Sequence, residues 1–279
     1  MSHVTASPQD SFHLNGRYHL ACDVAREAGA RALDMFRNRG KLTVEYKGLQ
    51  DEVSAADREV ESFIRDRIFQ AFPDDAFLGE ESVGSVGDEI LQERIVWVID
   101  PIDGTSIFLN GMHTWCVSVG VLVDGEPAIG AVFDPNTEEL FHAARGRGAY
   151  LNTDPIRPTH APDVRGGVLG VGFSHRVKTD TFIPFLDRVL QSGGMFVRNG
   201  SGALMIAYVA AGRLLGYYEP HINAWDCLAG IAIVKEAGGL VSNFLDNDGL
   251  LKGNPLLVSG VSINSELVSL IGNDKLRGA

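Results

Sequence analysis

Between Ile95 and Thr105 the chain reads Ile-Val-Trp-Val-Ile-Asp-Pro-Ile-Asp-Gly-Thr, an unbroken apolar run that ends in two closely spaced carboxylates. Successive side chains of a strand point to opposite faces, so a strand that is apolar at every position has to be covered on both sides. Such a strand belongs inside a layered α/β protein, and its carboxyl end is where folds of that kind place ligands. Pro101 has no amide hydrogen to give to a neighbouring strand, so the spacing predicts that the strand stops at Asp100. Gly104 gives the chain freedom to turn Asp100 and Asp103 toward one point. Two anions at one point need a cation. Read alone, the same residues also fit an Asp100 that caps a helix and an Asp103 that lies solvated in a turn.

The flanking sequence supplies the layers. From Gly16 to Arg39, Leu20, Val24, Ala28, Ala32 and Met35/Phe36 recur at helical spacing, and from about Ala55 to Phe72 Val60, Phe63, Ile64 and Ile68 form a second stripe. A short strand at Ala76 to Leu78 leads into the loop Gly79-Glu80-Glu81-Ser82. Trp115 to Leu151 reads as an antiparallel meander, with Val117, Val119 and Val121 on one face and turns at Asp124-Gly125 and Asp134-Pro135-Asn136. After the proline-containing stretch Pro155 to Pro162, strands near 167–173, 195–198, 214–219, 239–243 and 256–259 alternate with helices near 180–191, 202–212, 225–237 and 263–272. The expectation is a mixed α/β, or α+β, chain of two domains, 1–155 and 156–279.

Charge narrows the partners. With 24 Lys and Arg against 36 Asp and Glu, the formal net charge is −12. That field opposes phosphate backbones and anionic lipid surfaces, so neither nucleic acid nor membrane is expected as a partner, and an anionic ligand needs a local source of positive charge. No apolar run reaches the roughly 18 residues of a membrane span. Met1 to Arg17 lacks the basic-then-apolar order of an export signal. Cys22, Cys116 and Cys227 are too scattered for a disulfide framework or a zinc site. A cytoplasmic location is expected.

Further acids are unremarkable one at a time. Asp226, after Trp225, opens the apolar helix Cys227 to Ala237 and on its own reads as a cap; Asp57 complements the start of the second helix; Glu80 and Glu81 read as loop acids. Gly170-Val171-Gly172 and Gly200-Ser201-Gly202 each lack the third glycine of a dinucleotide fingerprint. Asp246-Asn247-Asp248-Gly249 is out of register for a calcium loop and reads as a turn. His113, His142, His175 and His221 have no paired metal-ligand spacing.

Their order along the chain changes that reading. Lys47 to Asp57, Gly79-Glu80-Glu81-Ser82, Trp97 through Asp100-Pro101-Ile102-Asp103-Gly104-Thr105, Gly200-Ser201, Glu219, and Trp225-Asp226 through Ala229-Gly230 to Glu236-Ala237-Gly238-Gly239 together resemble the inositol monophosphatase family of magnesium-dependent, lithium-sensitive phosphatases. The resemblance spans roughly residues 16–270. It implies an αβαβα sandwich, a homodimer, and a metal site between the two halves. One Mg²⁺ would be held by Glu80, Asp100 and the carbonyl of Ile102, a second by Asp100, Asp103 and Asp226, and a weaker third by Glu80 and waters with Asp57 behind. Such hard oxygen ligands suit magnesium.

The implied reaction is hydrolysis of a small phosphate monoester by in-line attack of water. Glu80 and Thr105 would orient the water and accept its proton, and the amides of Gly104 and Thr105 would hold the phosphate. Gly200-Ser201-Gly202-Ala203 and Glu219 would face the rest of the substrate, Glu219 accepting hydrogen bonds from inositol hydroxyls. Inositol-1-phosphate is the first expected substrate. Histidinol phosphate and 3′(2′)-phosphoadenosine phosphate are alternatives, with Arg176, Lys178 and Arg198 as candidates for a second phosphate. Ile107 stands where the family has Asn, and Gly202 where it has Ala. A non-catalytic regulatory member of the fold should have lost metal ligands, and Asp57, Glu80, Asp100, Asp103, Thr105 and Asp226 are all present.

Overall fold

A computed structural model describes residues 8–41, 44–48, 51–272 and 276, with side chains for 14–40, 55–84, 86–272 and 276. Met1 to Ser7, from the stretch read for an export signal, lie outside the described residues, as do the side chains of Lys47 to Ser54 at the start of the first motif. In chain order the elements are α1 (Pro8–Arg37), the hairpin β1 (Val44–Gly48) and β2 (Asp51–Ser54), α2 (Ala55–Ala71), β3 (Ala76–Gly79), β4 (Ile95–Asp103) and α3 (Thr105–Leu109). The meander follows as β5 (Cys116–Val123), β6 (Glu126–Asp134), β7 (Glu139–Ala144), β8 (Ala149–Leu151) and β9 (Asp154–Pro155). The rest comprises β10 (Val168–Val171), α4 (Ile183–Gln191), β11 (Met195–Val197), α5 (Gly202–Ala210), β12 (Gly216–Ile222), α6 (Ala224–Glu236), β13 (Leu240–Val241), α7 (Gly249–Lys252), β14 (Asn254–Ser259) and α8 (Asn264–Ile271).

A seven-stranded sheet of order β3-β4-β5-β6-β7-β8-β9 and a five-stranded sheet of order β11-β10-β12-β14-β13 form the two β layers. Both are mixed: β3 runs parallel to β4 and the meander is antiparallel, while β10 is parallel to β11 and β12, and β14 is antiparallel to β12 and β13. The apolar run of β4 is covered as its pattern requires. Trp97 and Ile99 pack with Ala28 of α1 and Val60 and Ile64 of α2, whereas Val96 and Val98 share a core with Leu204 of α5 and Leu228 of α6. Val117, Val119 and Val121 join the first of these cores. Beyond the second sheet, Phe185 and Val189 of α4 and Leu267 of α8 close a third core with Leu169 and Tyr218. The layers are therefore α1/α2, sheet, α5/α6, sheet, α4/α8, the expected αβαβα order. Among the described residues no helix is long and apolar enough to cross a membrane.

Two glycines set the position of α6. Gly120 of β5 and Gly130 of β6 are cross-strand partners, and a Cβ on Gly130 would overlap the carbonyl oxygen of Ala229. One on Gly120 would lie 3.0 Å from the Ala229 amide nitrogen. Their missing side chains let the helix backbone settle directly onto the sheet, with its first turn beside the carboxyl end of β4.

At Pro101 the structure departs from the sequence expectation. β4 does not stop at Asp100 but continues through Pro101 to Asp103. Asp100 pairs with Ser118 and Asp103 with Cys116, so the β4 side holds one residue more than its partner, a β-bulge. The bulge absorbs the amide that proline lacks. It also turns the two acids away from ordinary alternation, with the Ile102 amide donating to Asp100 Oδ1 at 2.9 Å.

Candidate active site

Asp100 and Asp103 from the β4 bulge meet Asp226 from the first turn of α6, with a ligand oxygen of each within 4.8 Å of the others. Asp100 and Asp103 are buried and Asp226 is half-buried. Asp226 does act as part of the helix cap: its Oδ2 accepts from the Asn223 amide at 3.2 Å and from Asn223 Nδ2 at 3.3 Å. The cap bonds fix the position of the Asp226 carboxylate beside Asp100 and Asp103. Asp103 is held more tightly. Its Oδ2 accepts from Ser201 Oγ at 2.5 Å and from the Ala203 amide at 2.7 Å, at the start of α5. Ser201 Oγ in turn accepts from the Leu204 amide. The hydroxyl expected on the substrate side is thus engaged with a carboxylate and a helix cap.

This clustering is costly without a cation. Burial, followed by the charges of Glu80, Asp103 and Asp226, raises Asp100 well above the usual carboxylate range. Burial and then Asp226 push Asp103 up to about 7, against the opposing donors Ser201 and Ala203. Burial also lifts Asp226 to about 6, opposed first by the Asn223 amide. A group of oxygens that hold protons near neutrality is one that a hard divalent cation would discharge. The nearby thiol of Cys116, 3.9 Å from Asp103 Oδ2, is itself held neutral by burial and offers no thiolate. The donor set therefore fits Mg²⁺ better than a soft metal.

Behind the cluster, Thr105 Oγ1 donates to Asp57 Oδ1 at 3.1 Å and also lies 3.2 Å from the Ile102 carbonyl. Thr105 opens α3, which has only five residues and follows Gly104 at φ 100°. Gly104 needs that left-handed backbone to reverse the chain after the bulge. Facing it is Gly200, where a Cβ would overlap the side chain of Ile107. Ile107 thus packs the two glycine loops together where a polar residue was the family expectation. The Glu80 amide donates to the Ile99 carbonyl at 3.1 Å, which ties its loop to β4 one residue before Asp100. Glu61, one turn beyond Asp57 on α2, was not singled out from the sequence. It is buried and accepts the Glu81 amide at 2.8 Å. The four-residue spacing from Asp57 was the available signal.

On the outer side, Tyr217 donates to Glu219 on β12. Burial pushes Glu219 up to about 8; the Tyr217 hydrogen bond opposes this, and Asp226 adds to it. A Cβ on Gly172 would overlap both Glu219 Oε2 and the Tyr217 hydroxyl, and one on Gly202 would lie 3.3 Å from that hydroxyl. Arg176, Lys178 and Arg198 are exposed, and Arg198 donates to the Phe173 carbonyl at 3.4 Å.

Relatives share this chain's architecture. The model of the inositol monophosphatase family matches residues 14–271. A protein of Xylella fastidiosa named Nus factor SuhB is 40% identical over 232 residues, covering 82% of each chain. The crystal structure of extragenic suppressor protein SuhB from Bartonella henselae superposes with a TM-score of 0.83 at 32% identity, over 91% of this chain and 97% of that one. SaIMPase-II, solved with inositol monophosphate bound, gives a TM-score of 0.76 at 30% identity over 94% and 93%, and it has also been solved with 2′-AMP bound. By sequence across nearly its whole length, and by fold, this chain belongs to the inositol monophosphatase family.

Proposed function

We propose that this chain is a Mg²⁺-dependent phosphomonoesterase acting on a small phosphorylated polyol, with inositol-1-phosphate as the first substrate. The observation that carries the reading is the convergence of Asp100, Asp103 and Asp226 on one point from two separate elements. Glu80, Asp100 and the Ile102 carbonyl would hold one ion, and Asp100, Asp103 and Asp226 a second. Bound there, Mg²⁺ would lower the pKa of a ligated water and neutralise charge on the phosphoryl and leaving oxygens.

The hydrogen bond of Thr105 to Asp57 supports a part for the protein's own groups. Thr105 gives its hydroxyl hydrogen to Asp57, so its oxygen is left as an acceptor that orients the attacking water. Glu80 takes the proton as the water oxygen forms a bond to phosphorus and the ester P–O bond breaks. The amides of Gly104 and Thr105 hold the phosphate as individual donors, since a helix as short as α3 has little dipole to add. Glu219 accepts from polyol hydroxyls. A homodimer, a cytoplasmic location and inhibition by lithium belong to the same proposal.

A second reading, hydrolysis of a phosphorylated nucleoside, is favoured by Arg198 and Arg176, whose charges act on Glu219 and Asp226 respectively. The 2′-AMP-bound neighbour supports it. The name Nus factor borne by relatives points to a partner-binding role beside catalysis. Phosphate release at millimolar Mg²⁺ from inositol-1-phosphate, histidinol phosphate and 3′(2′)-phosphoadenosine phosphate ranks the substrates. No release above a chelated control from any of them would overturn the phosphatase reading.

A further inference from the structure

Glu61 is 3% exposed on α2. A carboxylate so placed loses its hydration and persists only where hydrogen bonds replace it. Its Oε2 accepts the Glu81 amide at 2.8 Å. On the other side the structure makes room for it, since a Cβ on Gly79 would overlap both Oε2 and the carboxyl carbon of Glu61. Gly79 is not among the glycines with positive φ, so its backbone conformation does not demand glycine. The space taken by Glu61, together with the nearby Phe77 ring, does.

The consequence falls on Glu80. Its own amide is bonded to the Ile99 carbonyl, and the next amide, that of Glu81, to Glu61. Both peptide groups flanking the Glu80 Cα are thereby anchored, one to the strand carrying Asp100 and the other to the helix carrying Asp57. Fixing both peptides fixes the Cα–Cβ direction. Asp57 and Glu61 are one turn apart on one face of α2, so a single helix braces both Thr105 and the Glu80 loop. We propose that Glu61 is a positioning residue that aims Glu80 at the metal site. This rests on the reading of Glu80 as a metal ligand.

The test is Mg²⁺ binding, measured by calorimetry without substrate, in the wild type, Glu61→Leu, Glu61→Gln and Gly79→Ala. Loss of a residue supporting a metal ligand costs about 10–100-fold in metal affinity. Glu61→Leu removes the acceptor and should weaken Mg²⁺ by that factor, with a matching rise in the Mg²⁺ needed for half-maximal turnover and an unchanged KM at saturating Mg²⁺. Glu61→Gln keeps an acceptor oxygen and should lose well under the roughly 10-fold that marks removal of a supporting residue. Should Glu61→Leu fail to fold, Gly79→Ala displaces the carboxylate from the opposite side and should show the same Mg²⁺ defect. A lowered Tm with wild-type Mg²⁺ affinity in Glu61→Leu, or in Gly79→Ala where the leucine variant does not fold, would overturn the proposal and leave Glu61 a purely structural residue. If the wild type binds Mg²⁺ and hydrolyses phosphomonoesters, that failure belongs to Glu61 alone; a wild type that binds no Mg²⁺ removes both readings together.

Discussion

Asparagine in place of Asp226 should make the metal-free protein harder to unfold while abolishing its turnover. In the folded chain this carboxyl is raised from 3.8 to about 6. At about 1.36 kcal/mol per unit, keeping it ionised at pH 7.5 costs roughly 3 kcal/mol. The sign follows from a folded value above the unfolded one. The group imposes no penalty below about pH 4, and the penalty builds between about pH 4 and about 6 and is complete above that. Asparagine has nearly the same shape and keeps an oxygen to accept the Asn223 amide. Burying its neutral amide still costs on the order of 1 kcal/mol, which leaves a net gain of about 1–2 kcal/mol. With about 2.1 cal/mol/K of unfolding entropy per residue over 279 residues, Tm should rise by about 2–3 °C. The assay is calorimetric unfolding of both proteins in chelator at pH 7.5 and pH 5, with phosphate release measured in Mg²⁺. The gain should shrink at pH 5 and reverse in Mg²⁺, because ligand binding then stabilises only the wild type. Equal destabilisation of the variant at both pH values would refute the argument and leave Asp226 as no more than a helix cap.

Three other substitutions probe separate parts of the account. Thr105→Val keeps the shape but removes the hydroxyl that Asp57 receives, so kcat should fall about 10²–10⁴-fold with KM little changed, while Thr105→Ser should recover most of it; steady-state kinetics decides. Gly130→Ala puts a methyl group into the Ala229 carbonyl and should cost about 1–3 kcal/mol in urea unfolding, whereas Gly125→Ala in the open hairpin should cost only what its φ of 75° imposes, about 1 kcal/mol. Gly202→Ala, 3.1 Å from Ile222 Cδ1 and 3.3 Å from the Tyr217 hydroxyl, should change stability by less than about 1.5 kcal/mol and shift relative kcat/KM among the candidate substrates.

Much of this architecture was visible one residue type at a time. The stripes of α1 and α2 and the all-apolar β4 are local patterns that fix which faces are covered, and the meander shows its turns at Asp124-Gly125 and Asp134-Pro135. What escaped local reading depends on pairing across distance. Pro101 stops a strand on paper, yet the ladder with Ser118 and Cys116 can bulge around it, a solution that exists only once the partner strand is placed. Gly120 and Gly130 look like weak points until their register shows them forming one slot for α6. Ser201 takes Asp103 as its acceptor across 98 positions of sequence, and Glu61 takes an amide from a loop 20 positions away. Asp57, Glu80, Asp100, Asp103 and Asp226 were recognisable as a set through the family resemblance, while the convergence of Asp100, Asp103 and Asp226 is a property of the fold.

The central claim is that a cation held by these carboxylates drives hydrolysis of a phosphate monoester. Its most direct test is phosphate release from inositol-1-phosphate as Mg²⁺ is titrated into metal-free wild type and Asp100→Asn. The account expects no turnover in chelator, a rise with Mg²⁺ in the wild type, and a loss of at least about 10³-fold in the variant although it remains folded. Turnover that is indifferent to chelation, or that survives in Asp100→Asn, would contradict it.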